Sequence, residues 1–424
     1  MLSYTLWMAI IVVAGTIYAL IKRYETRLVL LTSGFLMAFL SLEPFMAFRQ
    51  FDKSMTNSSL IIAICSAMGF AAVISLTGCD KHLVTLLTRP LKKLGILLLP
   101  ASMIVTNALA TAIPSMGGLA AAVGPTLVPL LIRAGFRPAA AAACVAASMG
   151  PAYLNPGLSH NPFISKIANM EVMQFIGAHM TTTLIISGSC ILFVSLTCFF
   201  MHDYDSKNFG ASMSFDKTET AEEELKPNLI YAIAPLIPIA ILVTCSICVP
   251  QWKVSVATAM LIGSVYAFAV TRTNPEEAVT RFFNGMGKGY ASILGIIIAA
   301  GVFAAGLRAA GVVDVLVEYL THSNEVAKLG GALGPFALAL ITGSGDAATF
   351  AFNEAVTPFA EQFGMTIDSL GYLAMMAGCL GRMGSPLAGG VILISGIAMV
   401  SPLETVKRTI PAALIVLVIL YFIC

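Results

Sequence analysis

Long apolar runs, each bounded by charged residues, follow one another along almost the whole chain. Such runs match the roughly 20 residues that an α-helix needs to cross the hydrocarbon core of a bilayer. Only 11% of the 424 residues are charged, whereas about 25% are charged in an ordinary soluble protein. The pattern excludes a soluble domain and predicts an all-α polytopic membrane protein in contact with the lipid bilayer. The candidate spans lie near residues 4–21, 28–48, 59–78, 138–168, 173–200, 228–249, 254–271, 289–310, 367–399 and 403–423.

The charge balance and the residue types give no reason to expect a nucleic-acid partner, a metal or a cofactor. The chain carries 24 basic and 22 acidic residues, which gives a net charge of +2, and nucleic-acid binding relies on a basic surplus. Cys245 and Cys248 form a CxxC inside an apolar run with no histidine nearby, which argues against metal use. The five histidines lie mainly at span ends or in polar segments, so a Ser/His/Asp catalytic site has no support.

Two further apolar stretches are too long for one span and carry Pro, Gly and Ser at their middles. They cover about residues 96–135 and 329–363. A chain that turns back at membrane depth needs small and helix-breaking residues at the turn, covered by protein or a water-filled cavity. Each stretch is therefore predicted to form a re-entrant helical hairpin.

The sequence repeats with an offset of about 230 residues on either side of a polar segment. Asn155-Pro156 matches Ser385-Pro386, and Ser115 matches Ser344 with a slip of one residue. We interpret the chain as two repeats, an N-terminal one and a C-terminal one, joined by a linker. The three segments cover residues 1–201, 228–424 and, for the linker, 202–227.

Each repeat holds five spans and one hairpin, so the second repeat has to lie upside down relative to the first. Lys and Arg accumulate in cytoplasmic loops, and seventeen of the 24 basic residues fall on one side of this arrangement. The distribution predicts a cytoplasmic linker and places both termini on the periplasmic or extracellular side.

Four interruptions mark the middles of the hairpins and of two later spans. The hairpin tips read Ile113–Gly118 and Ile341–Asp346. Spans 138–168 and 367–399 are broken, with Asn155 and Ser385 expected as N-caps and Pro156 and Pro386 expected at the first position of a new half-helix. Four helix N-termini near the midplane would supply roughly two positive charges, which suits an anion with two carboxylates.

The candidate substrate site follows from these interruptions. Ser115 and Ser344 are the hydroxyls best placed to donate to a carboxylate. Arg382 is the basic residue within a break, and because an unpaired charge inside the membrane is costly, it has to pair with an acid or meet an anionic ligand. The candidate substrate-binding residues are Ser115, Met116, Gly117, Asn155, Pro156, Thr342, Ser344, Gly345, Asp346, Arg382, Ser385 and Pro386.

Several segments resemble the anaerobic C4-dicarboxylate carriers of the DcuC family. They are AAGVFAAGL (299–307), TGSGDAATFAF (342–352), GRMGSPLAGGVILISGIA (381–398) and SPLETVKRT (401–409). The resemblance implies an inner-membrane carrier that exchanges or exports succinate, fumarate or malate by an elevator-type motion of two inverted repeats. It also implies that hydroxyl and amide groups at the breaks hold the carboxylates, which corresponds to Ser115, Ser344, Asn155 and Ser385 here. We further expect a homodimer.

One departure from the family pattern concerns the second tip, where Asp346 follows Ser344-Gly345 in place of the usual Asn. An added carboxylate works against a dianionic ligand. Our hypotheses are that Asp346 is protonated, that it binds a coupling cation, Na⁺ or H⁺, together with Asn155 and Ser385, or that it receives an ammonium group. The last would move the substrate towards an amino acid.

An intramembrane aspartyl protease is the alternative that the same residues suggest. Gly343-Ser344-Gly345-Asp346 fits the GxGD pattern of intramembrane aspartyl proteases, which need a second aspartate at bonding distance. The available Tyr204-Asp205 pair lies in the polar linker, outside the membrane. A carrier is therefore predicted in preference to a protease.

Overall fold

In the computed structural model, the regular elements of the described residues are all helices, apart from an isolated β-bridge between Phe136 and Tyr204. The described residues are 4–22, 24–88, 94–113, 116–148, 150–205, 226–248, 252, 254–313, 315 and 324–424. Six helices among them are long and apolar enough to cross a membrane, which confirms a multi-pass membrane protein. They are Ser58–Thr77, Gly95–Ala112, Met116–Arg133, Val172–Phe200, Pro275–Ala309 and Pro402–Ile423.

The helices are numbered in chain order. The first half contains α1 (Tyr4–Ile21), α2 (Thr26–Leu40), α3 (Pro44–Met55), α4 (Ser58–Thr77), α5 (Cys79–Thr88), α6 (Leu98–Ala112), α7 (Met116–Arg133), α8 (Pro138–Ala146), α9 (His160–Ile167) and α10 (Val172–Phe200). The second half contains α11 (Leu229–Ile233), α12 (Ile237–Cys248), α13 (Val256–Thr271), α14 (Pro275–Gly289), α15 (Gly295–Ala309), α16 (Asn324–Thr342), α17 (Gly345–Ala355), α18 (Ile367–Met383), α19 (Gly389–Ile397) and α20 (Pro402–Ile423).

Several helices begin and end within two residues of the predicted spans. The agreement holds for α1, α4, α10, α13 and α20. Their ends carry polar caps that a sequence can reveal: Ser255 accepts from Thr258 N at the start of α13, and Ser401 accepts from Leu403 N at the start of α20. Capping side chains satisfy backbone N–H groups that have no partner within the helix.

The predicted span 28–48 is wrong, because the chain forms two helices there, α2 and α3. Leu42 adopts a positive φ of 60° between them, and Pro44 occupies the first turn of α3. The residue before a proline is disfavoured in the helical region, so the helix cannot run through Glu43. The second helix carries Arg49 on its polar side and does not continue the apolar run.

Spans 138–168 and 367–399 are interrupted as predicted, but the new half-helices start later than expected. The short α9 begins at His160 and α19 begins at Gly389, so neither Asn155 nor Ser385 is an N-cap and neither Pro156 nor Pro386 takes the first helical position. Asn155 Oδ1 accepts from Gly157 N at 2.7 Å, and Ser385 Oγ accepts from Leu387 N at 3.2 Å. Both side chains therefore fold the chain into a local turn, which competes with helix formation.

The helices pack in two groups that each draw on both halves of the chain. In the first group α1–α5 pack with α11–α15, and in the second group α6–α10 pack with α16–α20. The helices approach closely where glycines meet: a Cβ on Gly306 of α15 would lie 2.4 Å from the Gly34 carbonyl oxygen of α2. Between the groups, α15 contacts α17.

The start of the predicted polar linker is packed against helix ends instead of being solvated. The Asp203 carboxylate is 1% exposed and accepts from Arg408 Nε and Nη2, each at 2.7 Å. Asp205 N donates to Gly135 O at 2.8 Å. The remaining linker residues 206–225 lie outside the described part of the chain.

Candidate functional site

The tip of the second predicted hairpin is a tight turn between α16 and α17. Gly343 adopts a φ of +76°, which favours glycine, and Ser344 caps α17 by accepting from Ala347 N at 3.4 Å. Thr342 Oγ1 donates to Leu338 O at 2.7 Å and accepts from Ser344 N at 3.2 Å. These bonds hold the first turn of α17, with its free N–H groups, at the break.

This tip lies directly against the break between α18 and α19. A Cβ on Gly343 would lie 2.6 Å from the Leu387 carbonyl carbon, and one on Gly345 would lie 2.9 Å from Gly378 O. Ser385 is fully buried at the centre of this break, and Pro386 beside it is half-buried. The predicted residues of the second half are therefore gathered within one region.

Asp346 and Arg382 form an ion pair at this place. Arg382 Nη1 donates to Asp346 Oδ1 at 3.0 Å, and the two side chains are 17% and 38% exposed respectively. Of the two alternatives for Arg382, pairing with an acid is observed. The pair also gives the Asp346 carboxylate a cationic partner. None of the three hypotheses for Asp346 included Arg382 as that partner.

A third ionisable group, His160 of α9, reaches the same carboxylate. Its Nε2 lies 3.6 Å from Asp346 Oδ1, and its side chain is 3% exposed. The imidazole is stacked on Phe350, with ring centroids 4.6 Å apart and planes 17° apart, and Tyr153 meets it edge-on. His160 is not among the predicted site residues; its position next to the break of span 138–168, five residues after Asn155, is the signal that points to it.

The tip of the first predicted hairpin meets the breaks of both halves. Asn155 Nδ2 donates to Thr111 O at 2.6 Å, close to the end of α6. Met116, the first residue of α7, is buried, and its side chain lies where a Cβ on Gly390 would approach to 2.3 Å. Gly117 is half-buried, and the predicted Ser115 lies outside the described residues.

Contacts between described residues join the four interruptions. Within each half, a hairpin touches a broken helix: Asn155 bonds Thr111 O in the first half, and Gly343 contacts Leu387 in the second. Across the halves, Met116 contacts Gly390 and His160 faces Asp346. Asn155 and Ser385, predicted to share a cation with Asp346, engage backbone groups of their own breaks. Pro156 is buried within its break.

Several buried polar atoms have no hydrogen-bond partner among the described residues. These atoms are Ser102 Oγ, Asn107 Nδ2 and Oδ1, His160 Nδ1, Asn161 Oδ1 and Thr349 Oγ1. Buried polar groups normally find partners. Two of these residues, His160 and Asn161, lie next to the break of span 138–168.

The chain is similar to known transporters in sequence and in fold. The sequence profile of the C4-dicarboxylate anaerobic carrier family, DcuC, matches residues 39–424. The anaerobic C4-dicarboxylate transporter DcuC of Escherichia coli K12 is 27% identical over 448 aligned residues, which cover 98% of this chain and 95% of the relative. An uncharacterized transporter of Haemophilus influenzae is 42% identical over 277 residues, 63% of this chain and 98% of the relative.

A solved structure shares the fold. The crystal structure of the YdaH transporter of Alcanivorax borkumensis superposes with a TM-score of 0.66 at 15% sequence identity, over 89% of this chain and 86% of that chain. At this identity the likeness speaks for the helical architecture alone. Because the family profile covers nearly the whole sequence, the chain belongs to the C4-dicarboxylate anaerobic carrier family, DcuC, whose members are transporters and not enzymes.

Proposed function

We propose that this protein is a secondary carrier of C4-dicarboxylates such as succinate, fumarate or malate. The observation that carries the proposal is the placement of Arg382 where the four breaks converge, within a chain of the DcuC family. A guanidinium can bind a carboxylate through two parallel hydrogen bonds. It supplies the specific cation that a binding site for a small organic anion needs.

The two ends of the substrate would use different groups. One carboxylate binds Arg382, and the other binds the N-terminal turn of α17, where the hydroxyl of Ser344 and free backbone N–H groups are available. Ser115 is the corresponding hydroxyl of the first tip in the sequence repeat. In this arrangement Asn155 and Ser385 shape the breaks, because their side chains already bind backbone groups.

The packing supports two inverted repeats with re-entrant hairpins. In the second half α15 packs against α2 and α3, and in the first half α4 packs against α13 and α14. The sequence repeat aligns α4 with α15, so each repeat makes the same contacts with the other, as a two-fold relationship requires. An elevator-type alternating access would move the group that contains the breaks against the other group.

Polar contacts support the proposed topology. His179 and Asp368, 3.1 Å apart, both lie at helix ends that the charge distribution places outside, and Asp203 and Arg408 both lie at ends placed inside. We propose an inner-membrane protein with both termini on the periplasmic side. By the family resemblance we also propose a homodimer that works by exchange or by coupling to Na⁺ or H⁺.

A carrier of amino acids, with the substrate ammonium on Asp346, is the less favoured alternative. The carboxylate of Asp346 already has a cationic partner in Arg382, so it offers less attraction to a second cation. A dicarboxylate, in contrast, can bind the Arg382 guanidinium with one carboxylate and the N-terminal N–H groups of α17 with the other.

Counterflow in proteoliposomes tests the proposed function. Vesicles that contain the protein and unlabelled succinate should accumulate external radiolabelled succinate, and fumarate or malate should compete. Arg382→Gln should lower this exchange by at least about tenfold because the carboxylate loses its cation. Arg281→Gln, which removes an exposed arginine on α14, serves as the matched control. Absence of saturable exchange with any of the three diacids in the unmodified protein would refute the proposal.

A further inference from the structure

The Asp346 carboxylate lies between two donors that differ in how firmly they are held. Its Oδ1 atom is 3.0 Å from Arg382 Nη1 and 3.6 Å from His160 Nε2. Asp346 is 38% exposed, whereas Arg382 is 17% and His160 only 3% exposed. The accessible and short side chain is thus the carboxylate, while its two partners are fixed by the protein around them.

We infer that Asp346 competes with the substrate for Arg382: a substrate carboxylate that binds Arg382 displaces Asp346 towards His160, and Asp346 returns to Arg382 as the substrate leaves. The inference rests on the proposed function and assigns a role to two residues of that same site. It makes Asp346 a tethered counter-ion, that is, a carboxylate held on the protein that exchanges places with the carboxylate of the substrate.

His160 is built to receive the displaced carboxylate. Its ring is clamped between Phe350 and Tyr153, and its Nδ1 has no partner within the described residues. A neutral imidazole offers one donor and one acceptor, so Nε2–H can donate to Asp346 while Nδ1 is the acceptor left without a partner. His160 Nδ1 thus stays buried without a partner among the described residues, while Nε2 is directed at Asp346.

The position of Asp346 on its helix makes the displacement inexpensive. Asp346 lies in the first turn of α17, where Ser344 is the N-cap. The dipole of α17 stabilises a negative charge in this turn. Asp346 keeps the stabilisation by the dipole when Arg382 turns to the substrate, whose second carboxylate binds the free N–H groups.

The competition also gives a reason for the presence of an acid, Asp346, in a site that binds anions. A carrier has to bind its substrate firmly enough to select it and weakly enough to release it. Arg382 without a partner would be a buried unpaired cation that holds a dianion tightly. When Asp346 returns to Arg382, it replaces the contact that the departing substrate breaks.

Other charged and titratable groups do not perform this role. Tyr153 and Cys379 lie near Arg382 but carry no carboxylate. Glu354, the second acid of α17, contacts Gln50 at 3.2 Å and lies near Arg308 and Lys53, so it belongs to the contact with α3. Glu361, an exposed acid in the segment 357–363 that follows α17, provides the control.

The test compares KM and maximal rate of succinate counterflow in proteoliposomes. Asp346→Asn should lower the KM for succinate about fivefold, as expected for release of a partly exposed ion pair, and should also lower the maximal rate, because release loses its competitor. His160→Phe keeps the ring and its stacking but removes the donor, so it should raise the KM. Glu361→Gln should change neither parameter.

The double variant separates this role from a merely structural one. In the Asp346→Asn background, His160→Phe should leave the KM unchanged, because no carboxylate remains to be received. Asp346→Glu should restore both parameters towards those of the unmodified protein. Asp346→Ser replaces Asp346→Asn, with the same expectation, should the latter fail to fold.

Two results would overturn the inference while leaving the proposed function in place. One is a KM that rises or stays constant in Asp346→Asn while the unmodified protein exchanges succinate. The other is an effect of His160→Phe that persists in the Asp346→Asn background. Absence of exchange in the unmodified protein would instead refute the proposed substrate itself.

Discussion

Gly343 determines the conformation of the second tip, because both its backbone and its surroundings exclude a side chain. Its φ is +76°, and a Cβ would lie 2.6 Å from the Leu387 carbonyl carbon. The close contact joins the tip of one element to the break of another. A single backbone position therefore decides whether Asp346 and Arg382 can meet.

Gly343→Ala tests this requirement. We expect it to reduce succinate exchange by at least about tenfold, because left-handed strain of about 1 kcal/mol and a backbone collision act together. Gly330→Ala on α16 is the control, since a Cβ there meets nothing within 4 Å. Exchange in Gly343→Ala equal to that of the control, measured at matched protein recovery, would show that the tip need not contact the break.

At the residue scale the sequence predicted the candidate positions better than their partners. Arg382 and Asp346 were selected because charges inside apolar runs are costly, and both lie at the converging breaks. Their mutual pairing and the contact with His160 could not be predicted, because these residues come from separate elements. Asp203 gives a second example: its ion pair with Arg408 joins residues 205 positions apart, which the polar segment around Asp203 does not reveal.

At the element scale the contact between α2 and α15 depends on small residues. Gly34 and Gly306 face each other so closely that a Cβ on Gly306 would lie 2.4 Å from Gly34 O. Helices in membranes approach closely through such residues, because packing replaces the hydrophobic driving force of water.

Gly306→Ala should therefore destabilise the first helix group. Overpacking of this kind costs about 1–3 kcal/mol, and the obstructing atom belongs to backbone, which cannot rotate away. We expect a lower midpoint of thermal unfolding in detergent. Gly15→Ala on α1, where a Cβ meets nothing within 4 Å, should leave the midpoint unchanged. Equal midpoints for both variants would contradict the packing argument.

The sequence predicted the position of each helix break, but the predicted start of the half-helix after the breaks of spans 138–168 and 367–399 was wrong. Pro and Gly reveal where a helix stops, because they act on the local backbone. Where the next half-helix starts depends on side-chain bonds such as that of Asn155 to Thr111 O, which joins two elements. Pro44 signals the division of span 28–48 into α2 and α3, whereas the hydropathy of the run predicts one continuous helix.

At the scale of the whole molecule, the two helix groups meet most extensively where α15 contacts α17, and also where α4 contacts α9 and where α5 contacts α6 and α7. Gln50 Nε2 of α3 donates to Glu354 Oε1 of α17 at 3.2 Å, and this bond joins the two groups. If transport moves one group against the other, this contact has to break in each cycle.

A thiol cross-link across this contact tests the motion. In a background without other reactive cysteines, Gln50→Cys combined with Glu354→Cys should lose succinate exchange when a short, reducible bifunctional thiol reagent joins the two cysteines, and should recover it on reduction. The control pair, His179→Cys with Asp368→Cys, joins α10 and α18 within one group and should retain exchange when cross-linked. Full activity of the cross-linked Gln50/Glu354 pair would contradict a relative motion of the groups.

The sequence by itself determined that the chain is an all-helical membrane protein, and it located most spans, the four breaks and the charged residues within them. These features depend on local hydrophobicity and on the backbone preferences of Pro and Gly. Both are properties of short stretches of sequence and need no contact with distant residues. Only the tertiary structure decided that Asp346 pairs with Arg382 and faces His160, and that Asp203 is buried by Arg408. Such pairings join residues distant in sequence, and their energies depend on distances and burial that exist only once the helices have packed.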